Sequence, residues 1–322
     1  MKADERFLKQ DKSFWANVRT ISELVGYTHR GAKRGESAPV KVPTFPEVKK
    51  AFQKIGLGSS HIIGEAEHLN SFGKLLFDYF EYRADVLNNF VESHLMNVNK
   101  AKELYEALRK ELNPKCNLPD NKQTGEKKSK AYFTCIINML IEANAEGFSY
   151  TDDPRKLTAI IRNDAPLRTL ARRLDGAFTS TVNPIAAWEI KEYYYTKTFG
   201  SRVSDGVYET LLDGMEFEEL REHENIDVKH YLMLDDHFTW WVKGRSYLCR
   251  IIDMLHMGYV DEVLFGYEVI ERLPSLVKEW VEIARSRSDL YKYRDDAMIV
   301  RENEGEALVE NTEHKPVQRF LL

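Results

Sequence analysis

The spacing of apolar residues changes along the chain from a helical period to an extended one, and this change limits the folds open to it. Up to about residue 145, apolar residues recur every three or four positions, which is typical of helices that bury one face. Beyond about residue 165 the spacing approaches two, and the stretch IAAWEIKEYYY is rich in the aromatic and branched residues that favour strands. Helical and strand patterns then alternate. We therefore predict an α/β (α+β) fold, with a mixed central sheet flanked by helices and a helical N-terminal part.

A polar stretch at 113–130 separates the first helices from the rest of the chain. Its Pro, Asn, Asp and Gly content is typical of an exposed linker. We predict helix on both sides of it, over 65–112, as one long helix or two in tandem, and over 131–145. The chain then divides into four parts: a basic N-terminal helical arm at 1–60, a long-helix scaffold and linker at 61–128, a core at 129–286 and a charged C-terminal tail at 287–322.

Composition places the chain among water-soluble globular proteins. Of its 322 residues, 43% are hydrophobic and 30% are charged, which excludes a disordered, collagen-like or membrane-embedded chain. No run of about 18 apolar residues follows the charged N-terminus, so we predict neither secretion nor membrane insertion. The three cysteines are odd in number and far apart, which argues against a disulfide framework or a zinc knuckle. We therefore predict a cytoplasmic protein.

Basic residues are concentrated at the front of the chain. Residues 1–54 carry 12 Lys and Arg against 6 Asp and Glu, whereas the remainder carries 34 against 45. A basic arm of this kind can lie along a phosphate backbone, and its candidate DNA contacts are Arg30, Lys33 and Arg34. The alternative is a solvated loop between two helices.

Two charged residues occur inside the apolar strand pattern, where charges are seldom placed. Alternate residues of a strand share a face, so Glu189 and Lys191 lie side by side while Trp188 faces the other way. The preceding extended segment carries Asp175, which the intervening turn can bring opposite Glu189. Two carboxylates so close repel, and a divalent cation is the usual remedy. Oxygen ligands favour Mg²⁺, with Mn²⁺ as a substitute, over zinc.

The pattern of an acid, any residue and a lysine is common by itself, because it occurs six times in this chain. Only Glu189 and Lys191 lie inside an apolar strand pattern, with an acid 14 residues upstream. The alternative interpretation is an ion pair with no chemical role. Other site types are not indicated: the sequence has no GxxxxGK[ST], HExxH or GxSxG motif, and its nine histidines form no metal-ligand spacing.

Together, Asp175 and the later run Glu189-Ile190-Lys191 resemble the core motif of the PD-(D/E)XK nuclease superfamily, which includes many type II restriction endonucleases. The order of predicted elements over 130–285, namely helix, strands, helix and strand, is similar as well, so the resemblance covers about half of the chain. One departure is Leu174, where the superfamily name has proline. The resemblance implies a restriction-endonuclease-like core and metal-dependent hydrolysis of phosphodiester bonds in double-stranded DNA.

The resemblance also implies a role for each residue of the motif. Asp175 and Glu189, with the carbonyl of Ile190, would hold one or two Mg²⁺ ions, and Lys191 would orient the attacking water and offset charge on the phosphorane. Some relatives have a further acid on the first helix of the core, for which Glu142 is the candidate. Its alternative interpretation is a solvent-facing helix residue.

Substrate contacts are predicted just after the catalytic strand, at Lys197, Ser201 and Arg202, in a Gly-containing turn close enough to reach flanking phosphates. Since one such core cuts one strand, we expect a homodimer for double-strand cleavage. The predicted function is that of a restriction enzyme or a defence nuclease. Two alternatives stay open: a DNA-binding or scaffolding protein with a nuclease-like fold but no catalysis, and an RNA nuclease with the same metal chemistry.

Overall fold

The chain folds around a mixed five-stranded sheet. The computed structural model describes residues 1–29, 38–64, 68–121, 128–195 and 201–306. Its strands are β1 (Tyr150–Thr151), β2 (Ala159–Arg162), β3 (Ala165–Thr169), β4 (Gly176–Phe178), β5 (Ala186–Lys191), β6 (Lys229–Leu234) and β7 (Glu262–Phe265). The sheet has the order β1-β4-β5-β6-β7, while β2 and β3 form a separate hairpin. Strands β1, β4 and β5 pair antiparallel, whereas β5, β6 and β7 pair parallel.

Helices form the N-terminal part and flank the sheet, which confirms the predicted α+β class. The helices are α1 (Lys12–Val25), α2 (Phe45–Lys54), α3 (Ser71–Asp85), α4 (Glu92–His94), α5 (Val98–Leu112), α6 (Tyr132–Asn144), α7 (Ser201–Glu224), α8 (Arg245–Met257) and α9 (Glu268–Glu306), with π-helical turns at Val86–Val91 and His237–Lys243. The chain is extended at Leu95 and Asn97, and the Asn97 side chain caps α5. The helix predicted over 65–112 is therefore several separate helices from Ser71 onward, and residues 65–67 lie outside the described residues. Over the described ranges, no helix is long and apolar enough to span a membrane.

Alternate residues of the parallel strands pack on opposite faces of the sheet, as the period of two requires. On one face, Tyr231 and Met233 of β6 belong to an apolar cluster with α6 and α9. On the other face, Leu232 and Leu234 belong to a cluster with α7 and α8. Helices α1 to α3 contribute a third cluster of their own. The sheet is therefore covered by helices on both faces.

The extended pattern after residue 165 is divided between two sheets. Strand β3 pairs with β2, β4 has only three residues, and the chain bends between them. The reason is burial: Leu170 and Leu174 pack with Ala187 of β5 and Phe217 of α7 in a small apolar cluster. Asp175 therefore lies at the entrance to β4 and not within a long strand.

Gly176 is required by the ring that lies over it. A Cβ atom at this position would lie 2.0 Å from Trp188 Cε2, and the Trp188 ring is itself stacked on Trp280 with a centroid distance of 5.6 Å. Because the indole has little room to move, we expect Gly176→Ala to lower the free energy of unfolding by about 1–3 kcal/mol. Urea denaturation measures this loss. Gly58→Ala, where the new Cβ meets nothing within 4 Å, should change stability by less than about 0.5 kcal/mol.

Candidate active site

A cavity of about 530 Å³ opens at the carboxyl end of β5, and Asp175, Glu189 and Lys191 all line it. Eight acidic and three basic side chains lie in its wall. A surplus of carboxylates favours a cationic ligand, because clustered like charges repel unless a cation offsets them. The charged wall residues are Asp120, Lys130, Asp152, Asp153, Arg172, Asp175, Glu189, Lys191, Glu192, Asp205 and Glu209.

Asp175 is held against the strand that carries the other two residues. Its backbone N–H donates to the Trp188 carbonyl at 3.1 Å, and its carboxylate accepts the Ile190 N–H at 3.0 Å. In the antiparallel register Gly176 lies opposite Trp188. The residue before Gly176, Asp175, therefore lies beside the residue after Trp188, Glu189. The pairing of β4 with β5 thus brings the two carboxylates to one cavity.

Glu189 is a fully buried carboxylate between two cations. Its Oε2 accepts a hydrogen bond from Lys191 Nζ at 2.7 Å, and Arg172 donates to both of its oxygens, at 2.8 and 3.2 Å. Burial alone raises the pKa of a carboxyl group, but the Lys191 ammonium and the Arg172 guanidinium hold the pKa of Glu189 below its usual value. Glu189 is therefore ionised and can only accept hydrogen bonds or bind a cation.

Lys191 is charged although only 6% of it is exposed. Its Nζ also donates to Glu209 at 3.1 Å. Burial opposes the charge, but the carboxylates of Glu189 and Asp175 outweigh it and raise the pKa of Lys191 above its ordinary value. The side chain can therefore orient a water or a phosphate oxygen and stabilise negative charge, whereas it is a poor proton acceptor.

Sequence reasoning missed three residues of this network: Arg172, Glu209 and Asp213. Arg172 donates to Asp213 at 2.6 Å and lies 3.4 Å from a Glu209 oxygen. Burial and the Glu189 carboxylate raise the pKa of Asp213 to about 7, although Arg172 opposes this. The available sequence signal is the four-residue spacing of Glu209 and Asp213, which places them on one face of α7.

Glu192 joins helix α6 to the cavity wall. Helix α6 begins without a side-chain cap of its own, and the Glu192 carboxylate accepts the N–H groups of Phe133 and Thr134 at 3.2 and 3.0 Å. One turn further along α6, Asn138 donates to Asp152 at 3.1 Å. Because Glu192 directly follows Lys191, this cap ties the position of α6 to the end of β5.

Glu142 does not join the cavity wall. Its half-buried carboxylate accepts the backbone N–H groups of Lys115 and Cys116, at 2.8 and 2.9 Å, and so anchors the segment that precedes α6. Two other α6 residues, Thr134 and Asn138, line the cavity, and Asn138 contacts Asp152 there. The geometry thus does not bring Glu142 to the cavity, where an additional acid would be needed.

The predicted DNA contacts lie at or beyond the edge of the described structure. Arg30, Lys33, Arg34 and Lys197 lie outside the described residues. Ser201 and Arg202 begin α7, and Asp205 in its next turn lines the cavity. The amino end of α7 therefore lies beside the cavity.

The carboxylates of the cavity wall are oxygen donors, the type of ligand that hard divalent cations prefer. In the part of the chain that the structure describes, no group of three or more His, Cys, Asp or Glu side chains is arranged to hold a metal ion. Asp175, Glu189 and Ile190, the residues predicted to bind the cation, all line the cavity. Mg²⁺ in proteins is commonly bound by one or two carboxylates together with several waters.

Two protein-family models match the chain. One, described as Domain of unknown function (DUF7690), matches residues 1–90. The other, described as Domain of unknown function (DUF7687), matches residues 96–280, which include the whole sheet and every residue of the cavity wall. Comparisons with curated proteins and with solved structures give no match. Because the second model covers more than half of the chain, the protein belongs to the DUF7687 family.

Proposed function

We propose that this protein is a metal-dependent endonuclease that hydrolyses phosphodiester bonds of double-stranded DNA. The observation that carries the proposal is the convergence of Asp175, Glu189 and a buried, charged Lys191 on one cavity with a surplus of carboxylates. A DNA phosphate is an anion, and it approaches such a wall only when a cation offsets the carboxylates. The residue types therefore match phosphodiester hydrolysis assisted by a divalent cation.

Each residue of the motif has a role in this proposal. Asp175 and Glu189, with the Ile190 carbonyl, would hold Mg²⁺, for which Mn²⁺ can substitute. When bound, the ion supplies positive charge to the phosphate and lowers the pKa of a bound water. Lys191 donates a hydrogen bond to the water or to a phosphate oxygen and offsets the charge that develops in the transition state. Because its pKa lies above the ordinary value, it acts as a cation and not as a general base.

The finer fold assignment belongs to the same proposal. Helix α6 precedes the antiparallel strands β4 and β5, and α7 connects β5 to the parallel strand β6, which supports a restriction-endonuclease-like core. We infer a homodimer that acts in the cytoplasm as a restriction enzyme or a defence nuclease. Light scattering should then give twice the chain mass of 37.5 kDa.

Plasmid cleavage tests the proposed activity. Supercoiled plasmid with Mg²⁺ should yield nicked and linear products, and EDTA should abolish both because the proposed reaction needs the cation. Asp175→Asn is the matched variant, since it removes one carboxylate charge with almost no change in volume, and it should be inactive. Single-stranded DNA and RNA assayed in parallel separate the substrate classes. Undiminished cutting in EDTA, or by Asp175→Asn, would refute the assignment.

A specific observation favours a second candidate, a DNA-binding or scaffolding protein without catalysis. Both oxygens of Glu189 already accept hydrogen bonds from cations, Arg172 and Lys191, so the buried carboxylate is balanced by the chain itself. Such a network can be purely structural. This candidate predicts a thermal midpoint that Mg²⁺ leaves unchanged, whereas a metal site that becomes occupied raises the midpoint by mass action. Calorimetry with and without Mg²⁺ separates the two candidates.

A further inference from the structure

Arg172 contacts three carboxylates at once. It donates two hydrogen bonds to Glu189 and one to Asp213, and it lies 3.4 Å from Glu209. It belongs to the bend that precedes β4, and 24% of its side chain is exposed. Lys191, the other cation on Glu189, is instead held within β5 and is nearly inaccessible. Of these two cations, Arg172 is therefore the one whose side chain can move and exchange its hydrogen bonds.

Asp213 can accept a further hydrogen bond from Arg172. The carboxylate is fully buried, and its Oδ1 has no hydrogen-bond partner among the described residues, while its Oδ2 already accepts from Arg172 at 2.6 Å. A guanidinium has five N–H groups in a fork that matches a carboxylate in bidentate fashion. Arg172 can thus gain a bond to Asp213 as it gives up its bonds to Glu189.

A divalent cation that bound Glu189 would compete with Arg172 for this carboxylate. Both carry positive charge, and in a partly buried site the repulsion between charges a few ångströms apart is screened much less than at the surface. A cation that uses Glu189 as a ligand therefore disfavours the two bonds that Arg172 makes to the same carboxylate. Asp213 and Glu209 contact the same guanidinium at 2.6 and 3.4 Å, so they can retain Arg172 once it gives up Glu189.

We propose that Arg172 is the resident counter-ion of Glu189, which a divalent cation displaces towards Asp213 and Glu209, so that Arg172 sets the cation affinity of the site. The inference rests on the proposed metal site at Asp175 and Glu189. It makes Arg172 a positioning residue, since it acts on the cation through Glu189. Removal of Arg172 should accordingly tighten cation binding, which loss of a merely structural contact would not do.

Titration of the full-length protein with Mn²⁺, followed by the electron paramagnetic resonance signal of free Mn²⁺, measures this affinity. We expect Arg172→Gln to lower the Kd for Mn²⁺ roughly tenfold, the scale of a typical coupling between two binding events. Arg172→Lys should restore a Kd near the wild-type value, because it keeps the charge. If Arg172→Gln does not fold, the titration uses Arg172→Gln combined with Asp213→Asn, because this double variant leaves no buried carboxylate unpaired. Arg173→Gln, at the exposed neighbouring position, is the matched control.

The outcomes separate this inference from the proposed function. Wild-type binding that Asp175→Asn abolishes, with tighter binding by Arg172→Gln, supports both. If wild type binds Mn²⁺ through Asp175 but Arg172→Gln binds equally or more weakly, the inference is wrong and the metal site stands. If neither wild type nor the Arg172 variants bind Mn²⁺ at millimolar concentration, the proposed metal site fails and the inference fails with it.

Discussion

Lys191→Met is expected to lower the rate of plasmid cleavage by about 10²- to 10³-fold at saturating Mg²⁺, the usual effect of removing one donor that stabilises a transition state. Methionine keeps an unbranched apolar stem of similar length, so the change removes the ammonium and little else. Glu189 keeps its two hydrogen bonds to Arg172, and we therefore expect the fold to survive. Single-turnover time courses of nicked and linear product give the rate, and a urea midpoint checks the fold.

Lys229→Met is the matched control for this change. Lys229 lies at the amino end of β6, opposite Ala186 in the parallel register, and pairs with Asp227 at 2.6 Å. It is thus a lysine in a neighbouring strand that lies at the other end of the sheet from Lys191. The control should cut plasmid at the wild-type rate. Folded Lys191→Met that cuts as fast as wild type would remove Lys191 from the proposed mechanism.

The arrangement of Glu189 and Lys191 could be anticipated because strand geometry is local. Because side chains two residues apart lie on the same face of β5, Lys191 Nζ can donate a hydrogen bond of 2.7 Å to Glu189. The mixed sheet was predictable for the same reason, since its strands follow from the spacing of branched and aromatic residues. The bounds of β4 were not predictable, because burial of Leu170 and Leu174 against α7 ends the extended pattern before Asp175.

The rest of the candidate site depends on contacts between distant segments. Arg172 lies in a bend, where no side-chain period indicates which way it points. Glu209 and Asp213 share a face of α7, but this helix has many acids, and only its packing on the sheet selects the two that meet Arg172. The choice of Glu142 on α6 failed for a related reason. Buried apolar residues occupy most of this helix, so its pattern does not reveal which polar residues face the cavity.

Asp253→Ala is expected to lower the free energy of unfolding by about 3–5 kcal/mol, because it leaves a buried guanidinium without its carboxylate. Arg83 on α3 donates to Asp253 on α8 at 2.9 and 3.1 Å, and Tyr79 donates to the same carboxylate at 2.6 Å. Arg83 and Asp253 are 1% and 3% exposed. This pair joins the N-terminal helices to the part of the chain that carries the sheet, so its loss should destabilise both. Urea denaturation followed by circular dichroism measures the change.

The size of this loss should come from an unpaired buried charge and not from the attraction of the pair. Arg83→Met combined with Asp253→Leu removes both charges and leaves neither one unpaired. It should therefore lower the free energy of unfolding much less than Asp253→Ala does, although the Tyr79 hydroxyl loses its acceptor. Glu106→Ala breaks an exposed pair with Lys102 on α5 and should change stability by only about 0.3–0.5 kcal/mol. If the double variant lowers the free energy of unfolding as much as Asp253→Ala does, apolar packing around the pair cannot replace the charges. The two residues would then stabilise the contact between α3 and α8 through their hydrogen bonds.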